Sequence, residues 1–260
     1  MILQKTSDLT YIPKRIVSLV PSQTELLHYL ELEEETVGIT KFCVYPDKWF
    51  RTKTRIGGTK AISINSINDL KPDLIIANKE ENVKEQIESL AKDYPVWVTD
   101  INNLEDALTM IKDIGELTFK QKEVDLLIKE INTGFDNLTP KLQTKNNKLK
   151  TAYLIWRNPY MTIGSDTFIN DMLLKCGFEN VFAHKSRYPE VTIEELHISN
   201  CQLLLLSSEP YPFKQKHIDE LSIRLPGCKI ILADGEMFSW YGSRLLLAPD
   251  YFKNLSSNRF

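Results

Sequence analysis

One helix-and-strand unit occurs twice in this 260-residue chain, once in each half, and it constrains the fold more than any other feature. In the first copy, Ser63-Ile64-Asn65-Ser66-Ile67-Asn68-Asp69-Leu70 leads through Lys71-Pro72-Asp73 to the apolar run Leu74-Ile75-Ile76-Ala77. In the second, Thr192-Ile193-Glu194-Glu195-Leu196 leads to Leu203-Leu204-Leu205-Leu206. Ser63 to Thr192 and Leu74 to Leu203 share one offset, 129 positions. Serine and threonine favour the N-cap because a short hydroxyl accepts from the unpaired amides of a first helical turn. An apolar run without polar alternation is expected as a strand covered on both faces, as in parallel sheets. The repeat therefore predicts two like α/β lobes.

The flanking segments extend this pattern. Arg15 to Val20 reads as a strand stopped by Pro21, with Ser22 and Glu25 fitting a capping box for a helix carrying Leu26, Leu27, Tyr29 and Leu30. Val37 to Thr40 is a short strand, Phe42 to Thr54 an aromatic-rich loop, and Gly57-Gly58 a turn. A helix from about Glu81 to Lys92 and the strand Val96-Trp97-Val98 follow. Strands and helices alternating at these lengths imply a parallel sheet with helices on its faces.

From Leu104 the period changes. Leu104, Leu108, Ile111 and Ile114 mark a helix, and Gly115 permits a break. Leu117, Val124, Leu127, Ile128, Ile131, Phe135 and Leu138 then step by three, four and seven, the pattern of a long amphipathic helix. Helical from Glu116 to Leu138, it spans roughly 34 Å, ended by Pro140 and the polar run Gln143 to Lys150. The second half restarts with the strand Thr151 to Trp156, a turn at Asn158-Pro159, and Gly164-Ser165-Asp166 before a helix with Phe168, Ile169, Met172 and Leu173. Gly177 is its expected C-cap glycine. A helix from Phe213 to Leu225, the strand Ile230 to Leu232 and a helical Ser243 to Lys253 close the chain. The expected division is a lobe over residues 1–115, a linking helix over 116–140 and a lobe over 141–260.

Composition excludes several classes. With 32 basic and 35 acidic residues the net charge is −3, so no basic field invites nucleic acid. No run approaches the ~18 apolar residues of a membrane span. Met1 to Asp8 has neither the apolar stretch nor the small-residue site of a secretory leader, which leaves a cytoplasmic chain or one trimmed on export. Cys43, Cys176, Cys201 and Cys228 have no C-x-x-C or zinc spacing. Cys201 and Cys228 flank apolar runs and read as small buried hydrophobes, with no support for a disulfide. His28 reads as structural, and His184, His197 and His217 are scattered, so no bound metal is expected. No nucleophile elbow, phosphate loop or dinucleotide fingerprint is present, and the chain is read as a non-enzyme. The one carboxylate pair for a hydrolase, Glu190 and Glu236, has no separation that sequence can supply.

Two aromatic segments are candidates for binding. Trp156-Arg157-Asn158-Pro159-Tyr160 follows a strand, at the carboxyl edge where open α/β sheets take ligands. Aromatic rings beside a guanidinium suit a flat ring bearing carboxylates or amides. The plainer reading is a core tryptophan and a surface arginine. Phe238-Ser239-Trp240-Tyr241-Gly242 also follows a strand, and reads either as a second wall or as an apolar plug between loops.

Arg15 to Glu25, Val37 to Thr40, Tyr45-Pro46, Gly57-Gly58 and Leu70 to Ala77, in that order and spacing, resemble the substrate-binding proteins of ABC importers of the helical-backbone class. Tyr188-Pro189-Glu190-Val191 and Phe238 to Arg244 look most like the cobalamin-binding branch. The resemblance runs from Arg15 to Ala248. It implies two Rossmann-like lobes joined by one long backbone helix, a ligand cleft between them and little hinge motion. The implied ligand is a corrinoid such as cobalamin, with an iron-siderophore complex or haem next, and no intrinsic cofactor. Tyr45 matches a tyrosine that contacts the corrin ring, and Tyr188 stands where the family has a tryptophan. Thr59, followed by Lys60, falls where the cobalamin binder offers another tryptophan. Glu236 matches an aspartate near the ligand, and Trp240, ahead of Arg244, replaces an arginine. Docking to the importer uses one acidic residue per lobe: Glu194 keeps that position, whereas the first-lobe equivalent is Asn65. The implied partners are a small-molecule ligand and an ABC permease and ATPase, the protein being a monomer at the periplasmic or cell-surface side. The alternative is a cytosolic relative without an importer, serving as a corrinoid or tetrapyrrole carrier or enzyme.

Overall fold

The computed structural model describes residues 1–143 and 148–257. The chain forms two compact units. Met1–Ile101, Glu105–Glu130 and Tyr241–Arg244 make the first; Asn102–Leu104, Ile131–Trp240 and Leu245–Phe260 make the second.

The first unit runs β1 (Ile16–Ser18), α1 (Pro21–Tyr29), β2 (Thr36–Ile39), α2 (Asp47–Thr52), β3 (Thr54–Arg55), α3 (Ile64–Leu70), β4 (Leu74–Asn78), α4 (Lys84–Leu90) and β5 (Val96–Thr99). Its strands form one parallel sheet in the order β3-β2-β1-β4-β5. Helices α5 (Leu104–Thr118) and α6 (Gln121–Gln143) follow. The second unit runs β6 (Leu149–Leu154), α7 (Phe168–Lys175), β7 (Phe178–Asn180), α8 (Ile193–Ile198), β8 (Leu203–Ser207), α9 (Gln215–Arg224), β9 (Lys229–Ala233), α10 (Gly235–Ser239) and α11 (Ala248–Ser257). Its sheet is also parallel, ordered β7-β6-β8-β9.

The sequence repeat is the shared plan of the two sheets. β4 and β8 occupy the same place in the two orders, every residue of each is buried, and each follows a capped short helix. Ser63 Oγ accepts from the Ser66 amide at 3.3 Å. Thr192 Oγ1 accepts from the Glu195 amide at 3.1 Å while Glu195 Oε2 accepts from the Thr192 amide at 2.8 Å, a reciprocal capping box. In each sheet the connections diverge from the first strand, β1 or β6, so a topological switch point lies at its carboxyl end.

Several local expectations are corrected. Pro21 opens α1 rather than stopping the strand, since a first-turn proline lacks only an amide that would go unpaired. Val20 is then the N-cap and Ser22 makes no cap. The stretch expected as loop from Phe42 to Thr54 holds α2 and β3, and β7 was not anticipated; these are too short to carry a readable period. His28, read as structural, is exposed, with its ring edge-on to Trp49 at 5.2 Å. The break before the long helix falls at Phe119, left-handed at φ 60, and not at Gly115. Gly115 lies inside α5, where an added Cβ would come within 2.4 Å of Val124, so its use is close packing of α5 on α6. Helix α6 keeps the expected 23-residue length, roughly 34 Å, but starts at Gln121 and continues through Pro140 to Gln143. Half of the polar run expected to end it, residues 144–147, lies outside the described residues. Its buried face is shared: Val124 and Leu127 belong to the first unit, Ile131, Phe135 and Leu138 to the second.

Candidate functional site

The loops at the strand carboxyl ends carry nearly every expected binding residue. In the first unit, Tyr45 lies between β2 and α2 and is 42% exposed, beside an exposed Phe42. The Arg244 guanidinium covers the Tyr45 ring 4.6 Å from its centroid. Arg244 is itself buried and forks onto Glu25 of α1: Nε donates to Oε2 at 3.0 Å, and Nη2 donates to Oε1. Tyr241 is buried with its hydroxyl donating to Glu81 Oε1 at 3.2 Å. Burial, and then the Glu81 charge, raise the Tyr241 phenol well above its usual range, so it stays a neutral donor. Gly242, at φ 105, makes the tight turn between these two anchors, where a Cβ would stand 3.3 Å from Leu26 and from the Ser22 carbonyl. Thr59 and Lys60 follow β3. The Thr59 carbonyl accepts from Asn82 Nδ2 at 3.1 Å, and Lys60 Nζ donates to the Glu80 carbonyl.

In the second unit, Trp156 follows β6 and is 40% exposed, with Tyr211 edge-on to it at 5.8 Å. Arg157 Nη2 donates to both carboxylate oxygens of Glu220 of α9, at 2.8 and 2.7 Å. A hydrogen bond with Tyr211, and after it Tyr160 and the Glu220 charge, push the Arg157 pKa up and keep it cationic. Tyr188 is half-buried, with the Arg187 guanidinium 5.7 Å from its ring. Glu236 lies in the first turn of α10, half-buried, its amide donating to the capping Asp234 carboxylate at 3.1 Å.

The Phe238-to-Tyr241 cluster packs inward. Phe238 is buried against Tyr153 and Phe252, with ring centroids at 5.1 and 4.8 Å. Trp240 is buried, and its Nε1 donates to Glu209 Oε1 at 3.0 Å, an oxygen that Ser239 Oγ also reaches at 2.5 Å. Sequence reading missed Glu209, Tyr211 and Glu25 as partners. Glu209-Pro210-Tyr211 does follow the second repeated strand, a signal available from the register alone.

Glu194 is exposed in the first turn of α8, and Asn65 is exposed at the equivalent point of α3. Hydrogen bonds from its own backbone amide, and from the Thr192 hydroxyl, hold the Glu194 carboxyl below its usual range. Among the described residues no three His, Cys, Asp or Glu side chains converge as a metal site, and no helix is long and apolar enough to cross a membrane.

Two parallel sheets of one plan, with aromatic loops at their carboxyl ends, define a two-unit α/β class of protein. The chain belongs to the periplasmic binding protein family, whose pattern matches residues 16–222. It is 28% identical over 192 residues to an uncharacterised ABC transporter substrate-binding lipoprotein, YvrC, of Bacillus subtilis, a match spanning 71% of this chain and 60% of the relative. It is 24% identical over 196 residues to the vitamin B12-binding protein of Vibrio campbellii, covering 75% of this chain and 70% of that protein. A periplasmic heme-binding protein from Pseudomonas aeruginosa has the same fold, with a TM-score of 0.81 at 17% identity over 95% of this chain and 92% of that one.

Proposed function

We propose that this chain is the non-catalytic solute-binding protein of an ABC importer, and that its ligand is a large ring-containing molecule, a corrinoid such as cobalamin first. Family membership and the names of its relatives support the class. The observation that carries the ligand type is the exposure of Tyr45 and Trp156 at the carboxyl ends of β2 and β6. Aromatic side chains bury 150–250 Å² in cores and interfaces. Covering a further 80 Å² or so of one such ring stabilises a complex by about 2 kcal/mol. Arg244, Arg157, Thr59, Lys60, Tyr188, Glu236 and Trp240 complete the proposed contacts. Arg244 and Arg157 are already ion-paired, so their role is to hold Tyr45 and the Trp156 loop in place. Glu194 is the proposed docking residue for the permease, and the location is the periplasmic or cell-surface side of the membrane.

The test is an absorbance titration of the purified chain with cyanocobalamin, haem and a ferric siderophore. A saturable change with cyanocobalamin tighter than with the other two is expected. Tighter haem binding would move the ligand to the tetrapyrroles, and no binding of any of the three would overturn the ring-ligand reading.

A further inference from the structure

We propose that Cys201 and Cys228 are a thiol pair that closes to a disulfide when the protein meets a disulfide oxidant. Both are free thiols with their sulfurs 3.7 Å apart. Cys201 precedes β8 and Cys228 precedes β9, two strands paired in parallel with Leu203 opposite Lys229. The Lys229 amide donates to the Gln202 carbonyl at 2.9 Å, which fixes the two backbones side by side where the thiols sit. A cystine needs neighbouring backbones of this kind and a sulfur–sulfur bond of about 2.05 Å. The gap closes by a sulfur movement of roughly 1.7 Å, within reach of side-chain rotation.

Access and chemistry favour the same pair. Cys201 is buried, whereas Cys228 is half-buried and follows Pro226-Gly227, a turn at φ 90 around which a Cβ would meet nothing within 4 Å. The Cys228 S–H donates to the Cys201 sulfur, an interaction that favours the thiolate at Cys201 and holds the proton on Cys228. Cys43 and Cys176 are placed otherwise. Cys43 Sγ sits 3.1 and 3.2 Å from the Thr24 and Thr40 hydroxyls, and Cys176 Sγ sits 3.5 Å from Ser256 Oγ, all buried.

The exchange balances as two displacements. One thiolate attacks a sulfur of an external disulfide such as oxidised glutathione, forming a mixed disulfide and releasing one glutathione thiolate. The second cysteine loses its proton and displaces the other glutathione. Two thiol protons leave, and two electrons pass to the oxidant. The pair lies at the amino ends of its strands, away from the carboxyl-end loops, so this inference does not rest on the ligand reading.

The experiment treats the fully reduced, full-length protein with oxidised glutathione, blocks remaining thiols under denaturing conditions and maps peptides by mass spectrometry. The Cys201 and Cys228 peptides are expected joined and lighter by the two lost hydrogens, with Cys43 and Cys176 alkylated. Cys228→Ser is expected to leave Cys201 without an intramolecular partner, and oxidised parent protein to melt at a higher temperature than reduced. Four alkylated thiols, a persistent glutathione adduct on Cys228, or a link to Cys43 or Cys176 would overturn the proposal.

Discussion

Arg244 forks onto Glu25, a residue 219 positions earlier in the chain, and in doing so lays its guanidinium over the Tyr45 ring. The three side chains form one stack in which a buried charge, its counter-ion and an exposed aromatic depend on each other. Removing a partner from a buried ion pair leaves an uncompensated charge, which costs far more than an exposed pair is worth.

Glu25→Ala is therefore expected to lower unfolding stability by about 3 kcal/mol, read as a fall in the urea midpoint at unchanged slope. A loss under about 1 kcal/mol, the range of exposed pairs, would show that Arg244 finds water instead.

Trp156→Ala and Tyr188→Ala bear on the binding reading. Trp156 is 40% exposed and Tyr188 half-buried, so both variants should fold with unchanged circular dichroism. Each is expected to weaken cyanocobalamin binding by more than the 0.5–1.5 kcal/mol or so that an aromatic contact adds beyond area burial. Parent-like affinity in both would move the site off these loops.

Docking to a permease should be lopsided. Glu194 carries a charge where the first unit has the neutral Asn65, so Glu194→Ala should cost much more affinity than Asn65→Ala. Surface-binding titration of both variants against a permease–ATPase complex of this importer class that binds the parent protein reads the difference. Equal losses, or tight binding indifferent to Glu194, would refute the assigned contact.

Asp113 sets a pH dependence. Burial, and then the Glu116 charge, raise its pKa from 3.8 to about 6. Because the folded state holds this proton more tightly, its stabilising contribution is complete below the unfolded pKa and is lost as pH rises from about 4 to about 6. Asp113 is only half-buried, so solvent screening reduces the effect. Asp113→Asn is expected to raise stability at pH 7 by about 1 kcal/mol and to flatten the slope between pH 4 and 6. An unchanged slope in denaturant titrations would reject Asp113 as its source.

Much of this protein is legible in its local sequence. Ser63, Thr192 and Glu195 cap helices through contacts no more than three residues away, and the runs beginning at Leu74 and Leu203 are apolar enough to require burial on both faces. Signals of that range survive in sequence because cause and effect are neighbours. The apolar period likewise revealed a long helix, although α6 both starts and ends five residues later than that period marks. Gly115 looked like a break until Val124 came to pack against it.

The candidate site was decided otherwise. Trp156 could be placed at a strand end from the sequence pattern and Tyr45 from the family resemblance, but nothing local says that Trp240 turns inward to Glu209 or that Arg157 is already held by Glu220. Glu25 fitted a capping box with Ser22 on spacing alone, and the fold instead gave its carboxylate to Arg244. A charged side chain buried in a low-dielectric interior takes whatever counter-ion the chain brings to it. That counter-ion is selected by where two distant segments meet, so local pattern determined the elements, while tertiary structure decided which of their polar groups remained for a ligand.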